Sequence, residues 1–288
     1  MSITLVTGAL GFSAGVLCKN LNRISVDLIF LTDIKSDSAK KFFACDLAAA
    51  AETEKLIAEI KPDKIFHLAA TYSGNLEKNI SVNALAAANL LEGVLKHNKK
   101  CRILLIGSAA EYGQVRPEEN PVSETHPLRP SSAYGISKVL QTHIMDWYHR
   151  QYRLDVLMAR TFNLIGEGVS ENLFAGNLYA QIKKLKEGAI QKIVLGNLEH
   201  RRDYLPVEMA VEHYSVIMEK GKPGEVYNVG SGVSIKMRDL LNKILTENNL
   251  TMQDLEQKSV SGALPDVPDI YADISKLKSL GTADEKKD

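Results

Sequence analysis

Cysteine, aromatic side chains, net charge and long apolar runs are all scarce in this chain, and each scarcity excludes something. Three cysteines in 288 residues, Cys18, Cys45 and Cys101, are too few and too far apart for a disulfide framework or a metal-ligand pattern. A reduced, intracellular compartment is therefore expected. Lysine plus arginine and aspartate plus glutamate number 35 each, so the formal net charge is zero and no footprint for nucleic acid is visible. No apolar stretch approaches the ~20 residues of a membrane helix. The opening residues read as a strand rather than a charged segment followed by a long apolar one, so no signal peptide is expected. No internal repeat or low-complexity segment occurs. These absences leave a soluble cytoplasmic protein with neither nucleic-acid nor membrane partners.

What is present is alternation. Strand-like runs at 3–7, 27–32, 64–68, 102–106 and 155–160 are separated by helical patterns at 14–22, 50–60, 82–97 and 133–152. Such a rhythm predicts an α/β fold built on a doubly wound parallel sheet of the Rossmann type. The runs at 3–7 and 102–106 are almost uninterruptedly apolar, as strands covered on both faces require. Beyond Asn163 the pattern loosens into a loop at Gly166, Gly168 and Ser170, an amphipathic helix at 172–187, a strand at 225–229 and a helix at 235–246. Residues 1–164 are expected to form a dinucleotide-binding domain, and residues 165–288 a smaller, interleaved substrate-binding lobe. Late elements around 200–232 are expected to return to the sheet. Residues 282–288 form a charged tail with nothing to bury.

The first strand runs straight into Thr7-Gly8-Ala9-Leu10-Gly11-Phe12-Ser13-Ala14. Small residues recur every third position: Gly8 for a tight turn, Gly11 for close approach of main chain to phosphate, Ala14 for packing of helix on strand. The stretch Gly8, Leu10, Gly11, Phe12 is the expected pyrophosphate cradle, since a helix start offers unpaired N–H groups to an anion. Asp33 ends the second strand, where a carboxylate accepts hydrogen bonds from an adenosine ribose, or else serves as a turn residue. An acid there repels a 2′-phosphate, so NAD is favoured, with NADP kept open by nearby Lys35. Asp46-Leu47 follows a short third strand, at the level of an adenine amino group. Leu68-Ala69-Ala70 provides the small-residue wall a flat cofactor needs, and His67 reads as a core histidine rather than a catalyst.

Tyr134 and Lys138 stand one turn apart on one helix face. A neighbouring ammonium favours phenolate, so Lys138 is expected to draw the Tyr134 pKa down toward the working pH. With 10 tyrosines in the chain the pattern arises by chance, and Tyr179 with Lys183 forms a second copy. The upstream strand separates them: 102–106 leads into Gly107-Ser108, placing Ser108 at the carboxyl edge of the sheet, where open α/β folds bind ligands.

In this order, Thr7–Ala14, Asp33, His67-Leu68-Ala69-Ala70, Ser108 and Tyr134-x-x-x-Lys138 resemble the extended short-chain dehydrogenase/reductases that modify nucleotide sugars, the NAD-dependent epimerase/dehydratase family. The resemblance continues through Arg160-Thr161-Phe162-Asn163, Arg202-Asp203-Tyr204, Val226-Tyr227-Asn228-Val229-Gly230-Ser231-Gly232 and Ala272-Asp273. It implies that Ser108, Tyr134 and Lys138 are the catalytic trio, and that Asn163 touches the bound sugar nucleotide. It also implies that Arg202 lies near the base, ribose or diphosphate; the alternative is a surface charge in His200-Arg201-Arg202. A homodimer paired through the helices at 82–97 and 133–152 is implied as well.

Ala109-Ala110 stand where dehydratases of this family carry an acid, and Glu111 is offset by one position, so water elimination is not expected. A reductase of a nucleotide-linked 4-keto-6-deoxy sugar and an NAD-retaining epimerase remain. A non-catalytic dinucleotide sensor is a third reading, from another class. The wording Gly107-Ser108-Ala109-Ala110-Glu111-Tyr112-Gly113 is most similar to GDP-4-keto-6-deoxy-mannose reductases. Relatives carry a diphosphate-gripping arginine ahead of a segment like Asp266-Val267-Pro268, whereas Gly262-Ala263-Leu264-Pro265 offers none.

Overall fold

The computed structural model describes residues 2–24, 28–39, 41–257 and 267–281. In the first half, β1 (Ile3–Thr7), α1 (Phe12–Ile24), β2 (Leu28–Asp33), β3 (Phe42–Ala44), α2 (Ala50–Ile60), β4 (Lys64–His67), α3 (Leu76–Asn79), α4 (Ala86–His97), β5 (Arg102–Ser108), α5 (Ala133–Tyr152) and β6 (Asp155–Thr161) follow one another. A π-helical stretch, Ile80–Leu85, joins α3 to α4. The second half contains β7 (Asn163–Ile165), α6 (Phe174–Lys186), β8 (Ile193–Leu195), β9 (Arg201–Arg202), β10 (Tyr204–Pro206), α7 (Val207–Lys220), β11 (Val226–Val229), β12 (Ile235–Lys236), α8 (Met237–Glu247), β13 (Leu255–Gln257), β14 (Asp269–Ile270) and α9 (Ser275–Lys278).

Seven strands form one parallel sheet in the order β11-β6-β5-β4-β1-β2-β3. Winding reverses between β1 and β4, and such a reversal opens a crevice at the carboxyl ends of the two strands. Side chains alternate between the faces of each strand. Leu5, Ile65, Ile103 and Leu105 pack under α2, α4 and α5 with Leu56, Leu91 and Met145. Val6, Phe66, Leu104 and Leu157 pack under α1 and α7 with Leu17, Val211 and Tyr214. Both faces are covered, which is why the strand sequences carry few polar residues.

The elements at 50–60 and 133–152 have the expected bounds. β5 runs two residues past the apolar run: Gly107 and Ser108 stay in the ladder because Arg160 and Thr161 of β6 extend beside them. The helix α7 is an addition to the sequence reading, although Val207, Ala210, Val211, Tyr214, Ile217 and Met218 are spaced as one buried helical face. It covers the sheet, and β11 pairs with β6 at the edge. A separate core of Leu178, Ile182, Ile193, Leu195, Leu241 and Ile244 unites α6, β8 and α8. The helix expected at 235–246 begins at Met237, since Ile235 and Lys236 pair with β9. The segment 262–266, where the missing arginine was noted, and the tail 282–288 lie outside the described residues.

Candidate active site

Four strand ends meet at the crevice. Gly8 after β1 has φ +66°, and a Cβ there would come 2.6 Å from the Ala69 nitrogen. Only glycine lets the turn lie on the main chain that leaves β4. Thr7 Oγ1 accepts the Ala69 N–H at 3.2 Å and sits 2.8 Å from His67 Nδ1. His67 is buried, and burial reinforced by the Lys138 charge pushes its pKa down to about 3, so the ring is neutral. It is the core histidine expected.

The helix α1 has no acid in its first turn, where the helix dipole places partial positive charge. Leu10 and Gly11 are exposed there, and the Phe12 ring lies against Gly166 and Gly168. Asp33 Oδ2 accepts the Leu10 N–H at 3.1 Å, which brings the carboxylate onto the glycine turn. An open main-chain turn, a helix start with no acid of its own and an adjoining carboxylate fit a dinucleotide. Leu68 and Ala69 are half-buried at the crevice and Ala70 is exposed. Asp46 Oδ1 accepts the Ala48 N–H at 2.9 Å. Leu47 turns its side chain into the core and its carbonyl onto Asn89 Nδ2 at 3.0 Å, so Asp46 carries the accessible chemistry of that pair.

The helix α5 begins at Ser132, whose hydroxyl accepts the Gly135 N–H at 3.0 Å. A Cβ on Gly135 would stand 2.5 Å from the Ala110 carbonyl oxygen, so the first turn of α5 rests directly on the turn that follows β5. That contact brings the Tyr134 phenol up to Ser108, whose side chain favours the charged form of the phenol. Lys138 is buried; its Nζ stands 5.8 Å from the Tyr134 ring centroid and donates to the Ile106 carbonyl at 2.8 Å and Gln141 Oε1 at 3.1 Å.

Burial pushes the Tyr134 pKa up to about 12; the Ser108 hydrogen bond opposes this, while Glu111 and Tyr72 add to it. Burial likewise brings Lys138 down to about 8, with Glu111 holding it from falling further. The expected depression of the tyrosine pKa by Lys138 is thus overturned. Desolvation of the phenolate outweighs the ammonium, whose hydrogen bonds run to Ile106 and Gln141. At neutral pH the phenol keeps its proton.

Glu111 has another occupation, as its offset position suggested. Its Oε1 accepts the Ser108 N–H at 2.8 Å, and its Oε2 accepts from Thr142 Oγ1 at 2.6 Å and Arg160 Nη2 at 2.9 Å. Both ion-pair partners are buried, and a second Arg160 donor, Nη1, reaches the Tyr112 hydroxyl at 3.1 Å. Glu111 is a strut beneath Ser108.

Asn163 and Arg202 are drawn together through the residue between β9 and β10. Asn163 Nδ2 donates to the Asp203 carbonyl at 3.1 Å, and Arg202 Nη1 to the Arg201 carbonyl at 2.7 Å. The Asp203 carboxylate is fully buried and accepts from the main chain of Ser231, Gly232 and Ala272, tying those segments to this corner. By contrast, Lys183 of the second Tyr-x-x-x-Lys copy is exposed and lies 4.0 Å from Glu187 on the outer face of α6.

Sequence reasoning missed Gln141 and Tyr72. Gln141 lay three residues after Lys138 on the same helical face, a spacing that signals contact. Tyr72 gave no signal: it reaches the site from a loop, its ring 5.2 Å from that of Tyr134 and nearly edge-on at 64°. Asn83 holds that loop, accepting the Thr71 N–H at 2.8 Å and donating to Ser137 Oγ at 2.9 Å.

A Rossmann-type sheet with serine, tyrosine and lysine gathered at its carboxyl edge defines a protein of the extended short-chain dehydrogenase/reductase class. More particularly, residues 4–230 match the model of the NAD dependent epimerase/dehydratase family, and the chain belongs to that family. It is 28% identical over 217 residues to a GDP-6-deoxy-D-mannose reductase of Pseudomonas aeruginosa, covering 70% of this chain and 71% of that protein. It is also 28% identical over 254 residues to a UDP-glucose 4-epimerase of Mycolicibacterium smegmatis, covering 82% and 80%. Among solved structures, RMD from Pseudomonas aeruginosa complexed with NADPH superposes with a TM-score of 0.84 at 24% identity, over 97% of this chain and 92% of that one, and shares the fold.

Proposed function

We propose that this protein is an NAD(P)-dependent reductase of a nucleotide-linked 4-keto-6-deoxy sugar. The observation that carries the reading is the Tyr134 phenol beside Ser108, with burial pushing its pKa up to about 12 so that it holds its proton. A phenol in that state is set to donate a proton to a carbonyl oxygen rather than to take one from a hydroxyl. The dinucleotide, when bound, supplies the hydride for C4. Gly8, Leu10, Gly11 and Phe12 cradle its phosphates, Asp33 and Asp46-Leu47 hold the adenosine end, and Leu68, Ala69 and Ala70 form the wall beside it. Ser108 polarises the keto oxygen, Tyr134 delivers the proton, and the Lys138 ammonium offsets the negative charge that proton transfer leaves on the phenol. Asn163 and Arg202 take the sugar nucleotide between residues 1–164, which bind the cofactor, and the smaller lobe within 165–288. Ala109 and Ala110 supply no carboxylate for eliminating water.

One observation favours a second reading. Asp33 on the glycine turn suits the ribose diol of NAD better than a 2′-phosphate, and an epimerase that retains NAD⁺ would use the same trio. The reading also pairs two subunits, through the exposed apolar residues Leu85, Ile136, Leu140 and Trp147 on the helices at 82–97 and 133–152. It places the enzyme in the cytoplasm; no helix among the described residues is long and apolar enough to cross a membrane.

The test has two measurements. Mass spectrometry of material released from the purified protein reports any retained cofactor. Absorbance at 340 nm then follows NADPH or NADH with GDP-4-keto-6-deoxy-mannose added. Stoichiometric oxidation with formation of the 4-hydroxy sugar is expected. Retained NAD⁺, no net oxidation, and interconversion of UDP-glucose and UDP-galactose would overturn the reductase in favour of the epimerase.

A further inference from the structure

Gln141 is fully buried on α5, one turn beyond Lys138. Its amide oxygen accepts from Lys138 Nζ at 3.1 Å while the Ile106 carbonyl accepts from the same ammonium at 2.8 Å. An ammonium has three donor hydrogens. Two are thereby aimed at fixed protein acceptors, one from β5 and one from α5, and the third remains for a ligand. The orientation of the amide follows from the chemistry: its NH₂ group turned to Nζ would set donor against donor. Among the described residues Gln141 Nε2 finds no acceptor, so the oxygen is the end of this side chain in use.

The other charged or titratable groups around Lys138 are few. Glu111 faces it from the turn after β5, His67 from β4, and Tyr134 from α5 itself. His67 is neutral, and Glu111 is engaged with Arg160, Thr142 and Ser108. Among the described residues no carboxylate binds Lys138 directly; its ammonium donates to the Ile106 carbonyl and Gln141. An acid at position 141 would pair with the ammonium and take up its charge; an apolar residue would leave a long, flexible side chain unanchored. A neutral acceptor anchors it and leaves the charge available.

We propose that Gln141 is a positioning residue for Lys138, fixing the direction of its ammonium while leaving its charge free to act on the phenol and on a bound ligand. The proposal rests on the reading of Lys138 as part of the catalytic set. Its test reads the lysine itself. The protonation of Lys138 is followed by NMR of ¹³C-labelled lysine side chains, with the Lys138 signal assigned by its loss in Lys138→Arg. With the near-isosteric Gln141→Met, Lys138 should titrate about one unit lower than in the wild type, because the ammonium loses an acceptor. In Gln141→Glu it should titrate about one unit or more higher, because a carboxylate adjoins it. In the reductase assay both variants should lose roughly tenfold in kcat, with the alkaline limb of the pH profile moving as the lysine moves and the sugar KM little changed.

Either variant, folded by its melting curve, that titrates Lys138 as the wild type does overturns the proposal. Gln141→Glu, which exchanges one nitrogen for oxygen, keeps the test available should Gln141→Met fail to fold. The lysine titration uses neither substrate nor cofactor. A protein that fails to oxidise NADPH would therefore strike the reductase reading and leave this measurement standing.

Discussion

Two segments carry the same pattern, Tyr-x-x-x-Lys within a helix, and only one has the setting for chemistry. On α5, Tyr134 meets Ser108 and Lys138 is buried under the Ile106 carbonyl. On α6, the Lys183 side chain is 78% exposed, and its ion pair with Glu187, itself 57% exposed, spans 4.0 Å. Spacing puts both pairs on one helical face. What differs is where each lysine ends up: Lys138 is buried at the end of a central strand, whereas Lys183 faces solvent. A spacing rule thus selects candidates; burial raises the pKa of both tyrosines, and it is the burial of Lys138 that sets its pair apart.

The largest effect that sharpens this contrast is on rate. Tyr134→Phe is expected to lower kcat by about 10²–10⁴-fold while leaving cofactor binding intact, and Tyr179→Phe should leave the rate unchanged; steady-state kinetics on both variants checks it. Equal losses in the two variants would erase the distinction. Next in size is stability. Glu111 and Arg160 form an ion pair only 0% and 2% exposed, so Glu111→Ala should cost about 3–5 kcal/mol by leaving a buried cation unpaired. The solvent-facing Glu187→Ala should change stability by less than about 0.5 kcal/mol. Urea unfolding of the two variants measures the gap.

The pH dependence of Lys138 gives a third comparison, in which activity and stability run in opposite directions. With its pKa at about 8, the ammonium loses its proton above that value, and the rate should fall up to tenfold per pH unit. An unfolded lysine holds its proton to about 10.4. Between about 8 and 10 the unfolded state therefore binds the extra proton, and raising the pH relieves the folded state of a buried charge. The contribution of this group to stability rises there by up to about 1.4 kcal/mol per pH unit. Comparing the wild type with Lys138→Met by unfolding at pH 7, 8, 9 and 10 isolates the trend. The smallest effect concerns Asp33. Asp33→Ser should shift the ratio of NADPH to NADH affinity roughly tenfold toward NADPH, the size of one partly screened charge contact, as read by cofactor titration.

Much of the frame was legible because it is written in short-range patterns. Apolar runs, the three-residue beat of Gly8, Gly11 and Ala14, and the position of Asp33 at a strand end each depend on residues within a turn or a strand. The bounds of α2 and α5 were readable for the same reason. The expectation for the Tyr134 pKa failed because it weighed one neighbour in the sequence and not the burial of the whole site. Gln141, although signalled by its spacing, acquires meaning only from the Ile106 carbonyl on another element, and Tyr72 arrives from a loop with no pattern to announce it. Glu111 could be set aside as a dehydratase acid from its offset. Its actual work, holding Arg160 from 49 positions away, could not be seen.

Sequence alone determined that this chain builds a parallel α/β sheet with a nucleotide-type glycine turn, and that a serine, a tyrosine and a lysine follow in family order. These are matters of backbone conformation and of apolar periodicity, which neighbouring residues decide. Tertiary structure decided which of the two lysines is buried, that burial raises the Tyr134 pKa, that Asp33 reaches back to Leu10, and that β11 pairs with β6 at the edge of the sheet. Each of these depends on water being excluded, or a hydrogen bond made, by groups far apart along the chain, and only packing brings such groups together.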